Sequence, residues 1–124
     1  MNEGAYVMKI AVAGVGYVGL VTAVTLADVG HDVICLDVDK GKLKMLAEGI
    51  SPIYEYGLEE LMLKNRERLE FTDDVTKYSE AQVIIIGVGT PEKEDGSADL
   101  SAVFSVADSI ADNCSDEAVV AVKS

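Results

Sequence analysis

Three glycines near the start of the chain have the spacing of a phosphate-binding loop. Gly14, Gly16 and Gly19 form the pattern G-x-G-x-x-G between an apolar run and a stretch of helical character. Glycines at these places permit a tight turn, let a pyrophosphate approach the backbone and allow the helix to pack closely on the strand. The free N–H groups of the helix and the positive end of its dipole would then face the phosphates. The pattern therefore predicts a dinucleotide-binding loop.

A carboxylate follows this loop at the distance that dinucleotide binding requires. Asp37 lies 18 residues after Gly19, at the end of the second apolar run, where a carboxylate accepts hydrogen bonds from the hydroxyl groups of an adenosine ribose. A 2′-phosphate at the same place would meet a like charge at a cost on the order of several kcal/mol, so we expect NAD to be bound in preference to NADP. Lys42 either reaches this end of the cofactor or is a solvated helix charge, and Asp39 is expected to cap a helix.

The elements that must position these residues alternate between strands and helices. Nearly continuous apolar strands indicate a parallel sheet with helices on both faces, which is the doubly wound α/β arrangement of a three-layer Rossmann fold. Right-handed crossovers predict the strand order 3-2-1-4-5, with the ligand crevice between strands 1 and 4. Strands are predicted over residues 7–13, 32–37, 69–72, 81–88 and 118–122, and helices over residues 17–29, 40–48, 57–68 and 99–111.

Length, charge and cysteine content narrow the class of protein. The 124 residues suit one domain, and a net charge of −12 argues against nucleic acid or an anionic membrane as a partner. Cys35 and Cys114 are too few for a disulfide framework and lack the spacing of a zinc site, so we expect no bound metal. No apolar run approaches the roughly 18–20 residues of a membrane helix, and residues 1–7 lack the basic-then-apolar pattern of a signal peptide. We expect a cytoplasmic protein in which residues 1–7 are a leader or a tag.

Three segments, in order, resemble the UDP-glucose/GDP-mannose 6-dehydrogenase family. Residues 9–20 (KIAVAGVGYVGL) carry the Gly-Tyr-Val-Gly form of the loop, which is more particular than the general glycine pattern. Residues 51–58 (SPIYEYGL) are similar to the family's S-P-I-x-E-P-G-L, with Tyr56 where the family has proline. Residues 88–91 (VGTP), followed by residues 95–101 (DGSADLS), form the third match. The resemblance extends over essentially the whole chain.

This resemblance implies that NAD is the cofactor, and it assigns the residues that contact it. On the pyrophosphate these would be Gly14, Gly16, Tyr17, Val18 and Gly19, on the adenosine ribose Asp37 and Lys42, and at the crevice Val88, Gly89 and Thr90. The family's catalytic cysteine, lysine, asparagine and aspartate belong to a central helix and a nucleotide-sugar-binding domain that would follow residue 124. We therefore expect no catalytic residue in this chain. It would form the NAD-binding domain and would catalyse no reaction on its own.

The resemblance also implies the reaction of the whole enzyme. A homodimer would oxidise the C6 alcohol of UDP-glucose to a carboxylate and would reduce two NAD, with GDP-mannose or a UDP-N-acetyl sugar as the alternative substrate. A stand-alone NAD-binding regulatory module is an alternative of a different class. A dehydrogenase of the hydroxyacid type would explain the glycine loop but not residues 51–58.

Overall fold

A five-stranded parallel sheet forms the centre of the computed structural model, which describes residues 6–123. The strands are β1 (Lys9–Ala13), β2 (Asp32–Leu36), β3 (Leu69–Thr72), β4 (Val83–Ile86) and β5 (Val119–Val122). Their order across the sheet is β3-β2-β1-β4-β5, which confirms the order predicted from the sequence. Residues 1–5 and Ser124 lie outside the described part of the chain, and so does most of the leader expected over residues 1–7.

Within residues 6–123, four α-helices and two 3₁₀ helices connect the strands. The α-helices are α1 (Tyr17–Asp28), α2 (Lys40–Ala47), α3 (Leu58–Lys64) and α4 (Ser101–Asn113), and the 3₁₀ helices are Arg66–Arg68 and Val75–Glu80. None of the helices in this described range is both long and apolar enough to cross a bilayer.

Side chains alternate between the two faces of the sheet, and each face has its own apolar cluster. Ile10 and Val12 of β1 pack on one face together with Leu20 of α1. Ala11, between them in the sequence, belongs to the cluster on the opposite face, which includes Ile110 of α4. Successive strand residues point to opposite faces, so an uninterrupted apolar strand requires a helical layer on each side. The three-layer α/β fold predicted from the sequence is confirmed.

The helix predicted over residues 57–68 is interrupted at Asn65. The Asn65 side chain is buried, and its amide donates hydrogen bonds to the Leu61 carbonyl at 2.9 Å and to the Asp28 carboxylate at 3.0 Å. A side chain that bonds nearby backbone competes with continuation of the helix. The α3 helix therefore ends just before Asn65, and Arg66–Arg68 forms a separate turn.

The last strand departs from the expectation of a buried strand. All four residues of β5 are exposed, and Val119 and Val122 are 61 % and 63 % accessible. Within residues 6–123, β4 pairs with one side of β5 and no strand pairs with the other. An apolar run predicts burial only where the elements packed around it cover both faces, and β5 lies at the edge of the sheet.

Three glycines bring the carboxyl ends of β1 and β4 into backbone contact with the start of α1. Gly14 has a φ of +105°, a conformation that favours glycine. A Cβ added to Gly19 would lie 2.0 Å from the carbonyl oxygen of Gly14, and one added to Gly87 would lie 3.0 Å from the Cα of Gly19. A side chain at either place would push α1 away from the sheet. These glycines therefore fix where the helix begins.

Alanine substitutions at Gly19 and Gly16 form a matched pair that tests this packing. Gly19→Ala must separate two buried backbone segments, so we expect it to destabilise the fold by about 3 kcal/mol. Gly16→Ala should leave the melting temperature within a few degrees, because Gly16 has a φ of −73° and a Cβ there meets nothing within 4 Å. Thermal unfolding followed by circular dichroism measures both. Equal losses of stability would contradict the packing described here.

The two cysteines differ in their surroundings and should differ in reactivity. Burial raises the pKa of the Cys35 thiol to about 12, whereas Cys114 is half-buried. Only the thiolate attacks a disulfide reagent, so at pH 8 we expect one thiol per native chain to react quickly and the second only after denaturation. Cys114→Ser should remove the fast phase. Two fast thiols in the native chain would contradict the burial of Cys35.

Candidate functional site

The glycine loop leaves free backbone amides at the N-terminus of α1. Gly16 occupies the N-cap position without a side-chain cap, and the first turn contains no acidic residue. The first intrahelical hydrogen bond runs from the Leu20 N–H to the Gly16 carbonyl at 2.9 Å, so the amides of Tyr17 and Val18 have no acceptor within the helix. The space beside Gly16 is open. An anionic group can therefore approach these amides and the positive end of the helix dipole.

Asp37 is joined to the glycine loop by a hydrogen bond that the sequence did not predict. The Val15 N–H donates to Oδ2 of Asp37 at 2.9 Å, and the Asp39 N–H donates to Oδ1 at 2.9 Å. The Gly14 N–H also donates to the Leu36 carbonyl at 2.7 Å, so the loop is held at two points against the end of β2. Each carboxylate oxygen can accept a further hydrogen bond. Asp37 can thus orient the loop and still accept hydrogen bonds from the hydroxyl groups of a ligand.

The first residues of α2 lie next to this carboxylate. Asp39 has the capping role expected of it, because its side chain accepts a hydrogen bond from the Lys42 N–H at 3.1 Å. The Lys42 side chain is half-buried, and no carboxylate of residues 6–123 lies within ion-pair distance of its ammonium group. Lys42 is therefore available to an anionic ligand, and its contact with a cofactor stays a prediction.

The remaining predicted residues follow β4. Val88 is half-buried and lines the same cavity as Asp37, whereas Gly89 and Thr90 are exposed. The strand order reverses between β1 and β4, and ligands of open α/β sheets bind at such a reversal, outside the carboxyl ends of the strands. The structure therefore brings the loops that follow β1, β2 and β4 to one edge of the sheet. The contacts of these residues with a cofactor stay predictions.

The segment between β4 and α4 is ordered by short hydrogen bonds to two aspartates. Asp95 accepts from the Ser97 N–H at 3.0 Å, and Asp99 accepts from the Ser101 N–H at 2.9 Å. The hydroxyl and amide groups of these serines hold the pKa of Asp95 and Asp99 below its usual range. Because Asp99 bonds the Ser101 amide from outside the helix, α4 begins two residues later than the sequence predicted.

A cavity of about 260 Å³ opens beside Asp37, between the end of β2 and α4. Its lining is mostly apolar, with a few polar groups, which is the character of sites for small organic ligands. The apolar residues are Leu36, Val38, Val75, Val88, Ala102 and Val106, and the polar or small ones are Gly14, Asp37, Asp73, Tyr78, Ser105 and Ser109.

The sequence predicted only Gly14, Asp37 and Val88 among these lining residues, and Asp73 and Tyr78 are two that it missed. Asp73 follows β3 directly, as Asp37 follows β2, and this shared position at the carboxyl edge of the sheet is a signal that could have revealed it. Tyr78 lies in the 3₁₀ helix Val75–Glu80 and is only 3 % exposed. Burial raises the pKa of its hydroxyl to about 12, and the charge of Asp37 acts in the same direction. From the sequence, a single aromatic residue in a short helix could equally belong to a cavity wall or to the ordinary apolar core.

A second hollow, of about 320 Å³, lies away from this edge of the sheet. It is bounded by α2, α3 and β3, with Leu46, Met62 and Phe71 in its lining, and contains none of the predicted cofactor residues. Among residues 6–123, no three His, Cys, Asp or Glu side chains are grouped so that they could hold a metal ion. The carboxyl edge beside the glycine loop is therefore the candidate site.

Comparison with known proteins agrees with this geometry. A family model described as "UDP-glucose/GDP-mannose dehydrogenase family, NAD binding domain" matches residues 8–124. The chain is 48 % identical over 120 residues to the UDP-glucose 6-dehydrogenase YwqF of Bacillus subtilis. That match covers 94 % of the chain but only 27 % of the relative, so the chain spans about a quarter of the relative's length.

Solved structures give the same result. A UDP-glucose dehydrogenase from the hyperthermophilic archaeon Pyrobaculum islandicum superimposes with a TM-score of 0.92 at 34 % identity, over 99 % of this chain and 30 % of that one. A GDP-mannose dehydrogenase from Pseudomonas aeruginosa, solved as a ternary complex, has a TM-score of 0.80 at 42 % identity. The superposition covers 83 % of this chain and 24 % of the GDP-mannose dehydrogenase chain.

Replacement of Asp37 tests its role toward a bound cofactor. Asp37→Ala removes a charged acceptor, so we expect NAD to bind about 10- to 100-fold more weakly, the range for a hydrogen bond to a charged group. The preference for NAD over NADP should shrink as well, because the like charge beside the 2′-position is gone. Isothermal titration calorimetry with both dinucleotides measures these changes.

Asp39→Ala is the matched control for this substitution. It removes a neighbouring carboxylate that caps α2, so it should lower the melting temperature while the affinity for NAD changes little. Unchanged NAD affinity in Asp37→Ala, or equal affinity of the wild-type chain for NAD and NADP, would refute the assignment of Asp37.

Proposed function

We propose a role for this chain from one premise: it belongs to the UDP-glucose/GDP-mannose dehydrogenase family, whose NAD-binding domain matches residues 8–124. The uncapped, glycine-lined N-terminus of α1 holds the pyrophosphate of NAD. The observation that carries this role is the combination of unpaired amides, open space beside Gly16 and a tether from Val15 to Asp37. The domain is the cofactor-binding part of a dehydrogenase.

Residues at the end of β2 and the start of α2 would hold the adenosine half of NAD. Asp37 accepts hydrogen bonds from the ribose hydroxyl groups, and Lys42 approaches the same ribose from α2. The adenine base enters the apolar cavity beyond Asp37, against Val38 and Val88. Tyr17, Val18 and Gly19 surround the pyrophosphate with Gly14 and Gly16.

The loop after β4 would hold the nicotinamide half. Gly89 and Thr90 are exposed there, and they form one wall of the cleft in which substrate meets cofactor. NAD supplies the hydride acceptor, while the chain binds and orients it. No residue of this chain is assigned to the chemical step.

Charge next to the ribose favours NAD over NADP. The Asp37 carboxylate is fixed by two backbone amides, and Asp73 adds a second carboxylate to the same cavity. A 2′-phosphate would be brought close to both negative charges, at a cost on the order of several kcal/mol near a protein surface. Lys42 offers one compensating charge, but its flexible side chain must first be ordered.

The whole enzyme oxidises the C6 alcohol of UDP-glucose to the carboxylate. The overall reaction would consume two NAD and one water for each carboxylate formed. The UDP-glucose 6-dehydrogenase of Bacillus subtilis, at 48 % identity, supports this substrate. GDP-mannose is the second candidate, because the GDP-mannose dehydrogenase of Pseudomonas aeruginosa is 42 % identical in the aligned region. Substrate binding and catalysis belong to a second domain outside these residues.

The same proposal makes the enzyme a cytoplasmic homodimer. Cys35 and Cys114 are free thiols, in keeping with a reducing compartment. The acidic net charge of −12 is consistent with the absence of nucleic acid and anionic membrane surfaces from the expected partners.

Assay of the full-length enzyme tests this function. With UDP-glucose and NAD, we expect two NADH per substrate consumed and no NADPH formation at equal NADP concentration. GDP-mannose and UDP-N-acetylglucosamine should be turned over at less than a tenth of that rate. A full-length protein that binds NAD but oxidises none of these sugars would favour a regulatory NAD-binding module instead.

A further inference from the structure

Tyr78 combines deep burial with a hydroxyl that has no hydrogen-bond partner among residues 6–123. The residue is 3 % exposed. Its backbone carbonyl accepts a hydrogen bond from the Ala81 N–H at 3.2 Å, but no hydrogen bond within the described chain involves its hydroxyl oxygen. Among residues 6–123, every side-chain nitrogen or oxygen that is fully enclosed has a hydrogen-bond partner. Since the Tyr78 hydroxyl has none, it is not fully enclosed and retains a small accessible surface. Tyr78 lines the cavity beside Asp37, and its hydroxyl is therefore a polar group available to whatever enters that cavity.

The position of Tyr78 is fixed by the 3₁₀ helix Val75–Glu80. Asp74 caps this helix by accepting a hydrogen bond from the Thr76 N–H at 3.0 Å. Lys77 forms ion pairs with Glu80 at 3.3 Å and with Glu70 at 3.5 Å. The Tyr78 ring packs in the apolar cluster between the sheet and α4. A ring held in this way presents its hydroxyl in one direction.

The Tyr78 side chain is nearly buried, so its hydroxyl can meet a hydrogen-bond partner only at the small surface that it keeps. A phenylalanine would fill the same apolar space. A ligand with a hydrogen-bond acceptor in the cavity would use the one polar group that distinguishes tyrosine from phenylalanine at this place.

We propose that Tyr78 is a cofactor-binding residue whose hydroxyl donates a hydrogen bond to the adenine ring of NAD. This inference rests on the proposed seating of the adenosine half in the cavity. With the ribose at Asp37, the next group of the cofactor is the base, and the cavity walls of Leu36, Val88 and Val106 suit its apolar faces. The ring nitrogens of adenine are acceptors that match a hydroxyl donor.

The hydroxyl keeps its proton over the whole physiological range. Burial raises the pKa of Tyr78 to about 12, and the nearby charge of Asp37 contributes in the same direction. A group whose pKa is raised stays protonated until the pH approaches that value. Tyr78 thus presents a donor in the same cavity as the Asp37 carboxylate, which accepts hydrogen bonds, so the two side chains recognise different parts of the adenosine.

Tyr78→Phe tests the proposal, because it removes one oxygen and keeps the packed ring. In calorimetry with this chain we expect NAD and ADP-ribose to bind about 3- to 10-fold more weakly. Nicotinamide mononucleotide, which lacks adenine, should bind as before, and the melting temperature should change little. Tyr54→Phe is the control, since Tyr54 is fully exposed and its substitution should leave all three affinities unchanged. Unchanged NAD and ADP-ribose affinities in Tyr78→Phe would overturn the proposal.

A modified ligand distinguishes the base from the ribose. With 2′-deoxy-ADP-ribose, the weakening caused by Tyr78→Phe should persist at the same fold-change. Its disappearance would move the hydrogen bond to the ribose 2′-hydroxyl and would overturn the assignment to adenine.

A cavity-filling variant separates this proposal from the proposed function. Ala102→Phe places a ring in the cavity from the exposed face of α4, and we expect it to weaken NAD by at least tenfold. If Ala102→Phe weakens NAD and Tyr78→Phe does not, only the role of Tyr78 fails. If neither has an effect, the adenosine half does not occupy this cavity.

Discussion

The close approach of α1 to the ends of β1 and β4 is the constraint on which the rest of the site depends. A single Cβ at Gly19 would lie 2.0 Å from the Gly14 carbonyl oxygen, so the helix can begin directly at the edge of the sheet only because no side chain intervenes. This contact sets the direction of the helix dipole and leaves the first amides of α1 facing the crevice. The apolar clusters on both faces then hold the helix and the sheet in that relation.

Anion binding in this acidic protein is a local property. The net charge is −12, and the overall field therefore opposes a pyrophosphate. Unpaired amides at the start of α1 provide the attraction at short range, where water and salt screen it least. Asp37 is part of the same construction, because its carboxylate accepts the Val15 amide and so shapes the loop. In the proposed binding mode its charge lies beside the adenosine ribose, where it opposes an added phosphate.

The alternation of apolar runs and turns was sufficient to predict the sheet order, and the glycine spacing indicated the candidate site. Both follow from local rules of strand burial, crossover handedness and backbone conformation. Features that depend on distant partners were not predictable. Asn65 breaks a helix because it reaches Asp28 on α1, and β5 is exposed because its neighbours do not cover it. Tyr78 lines the same cavity as Asp37 only because folding packs its short helix against α4.

Amide chemical shifts during titration with NAD test the central claim most directly, namely that the cofactor binds over the start of α1 at the carboxyl edge of the sheet. The account predicts the largest changes at the backbone amides of Gly16, Tyr17 and Val18, with smaller changes at Asp37 and Val88. Residues of the second hollow, such as Met62, should be unaffected. Changes centred on that hollow, or none at the glycine loop under saturating NAD, would contradict the account.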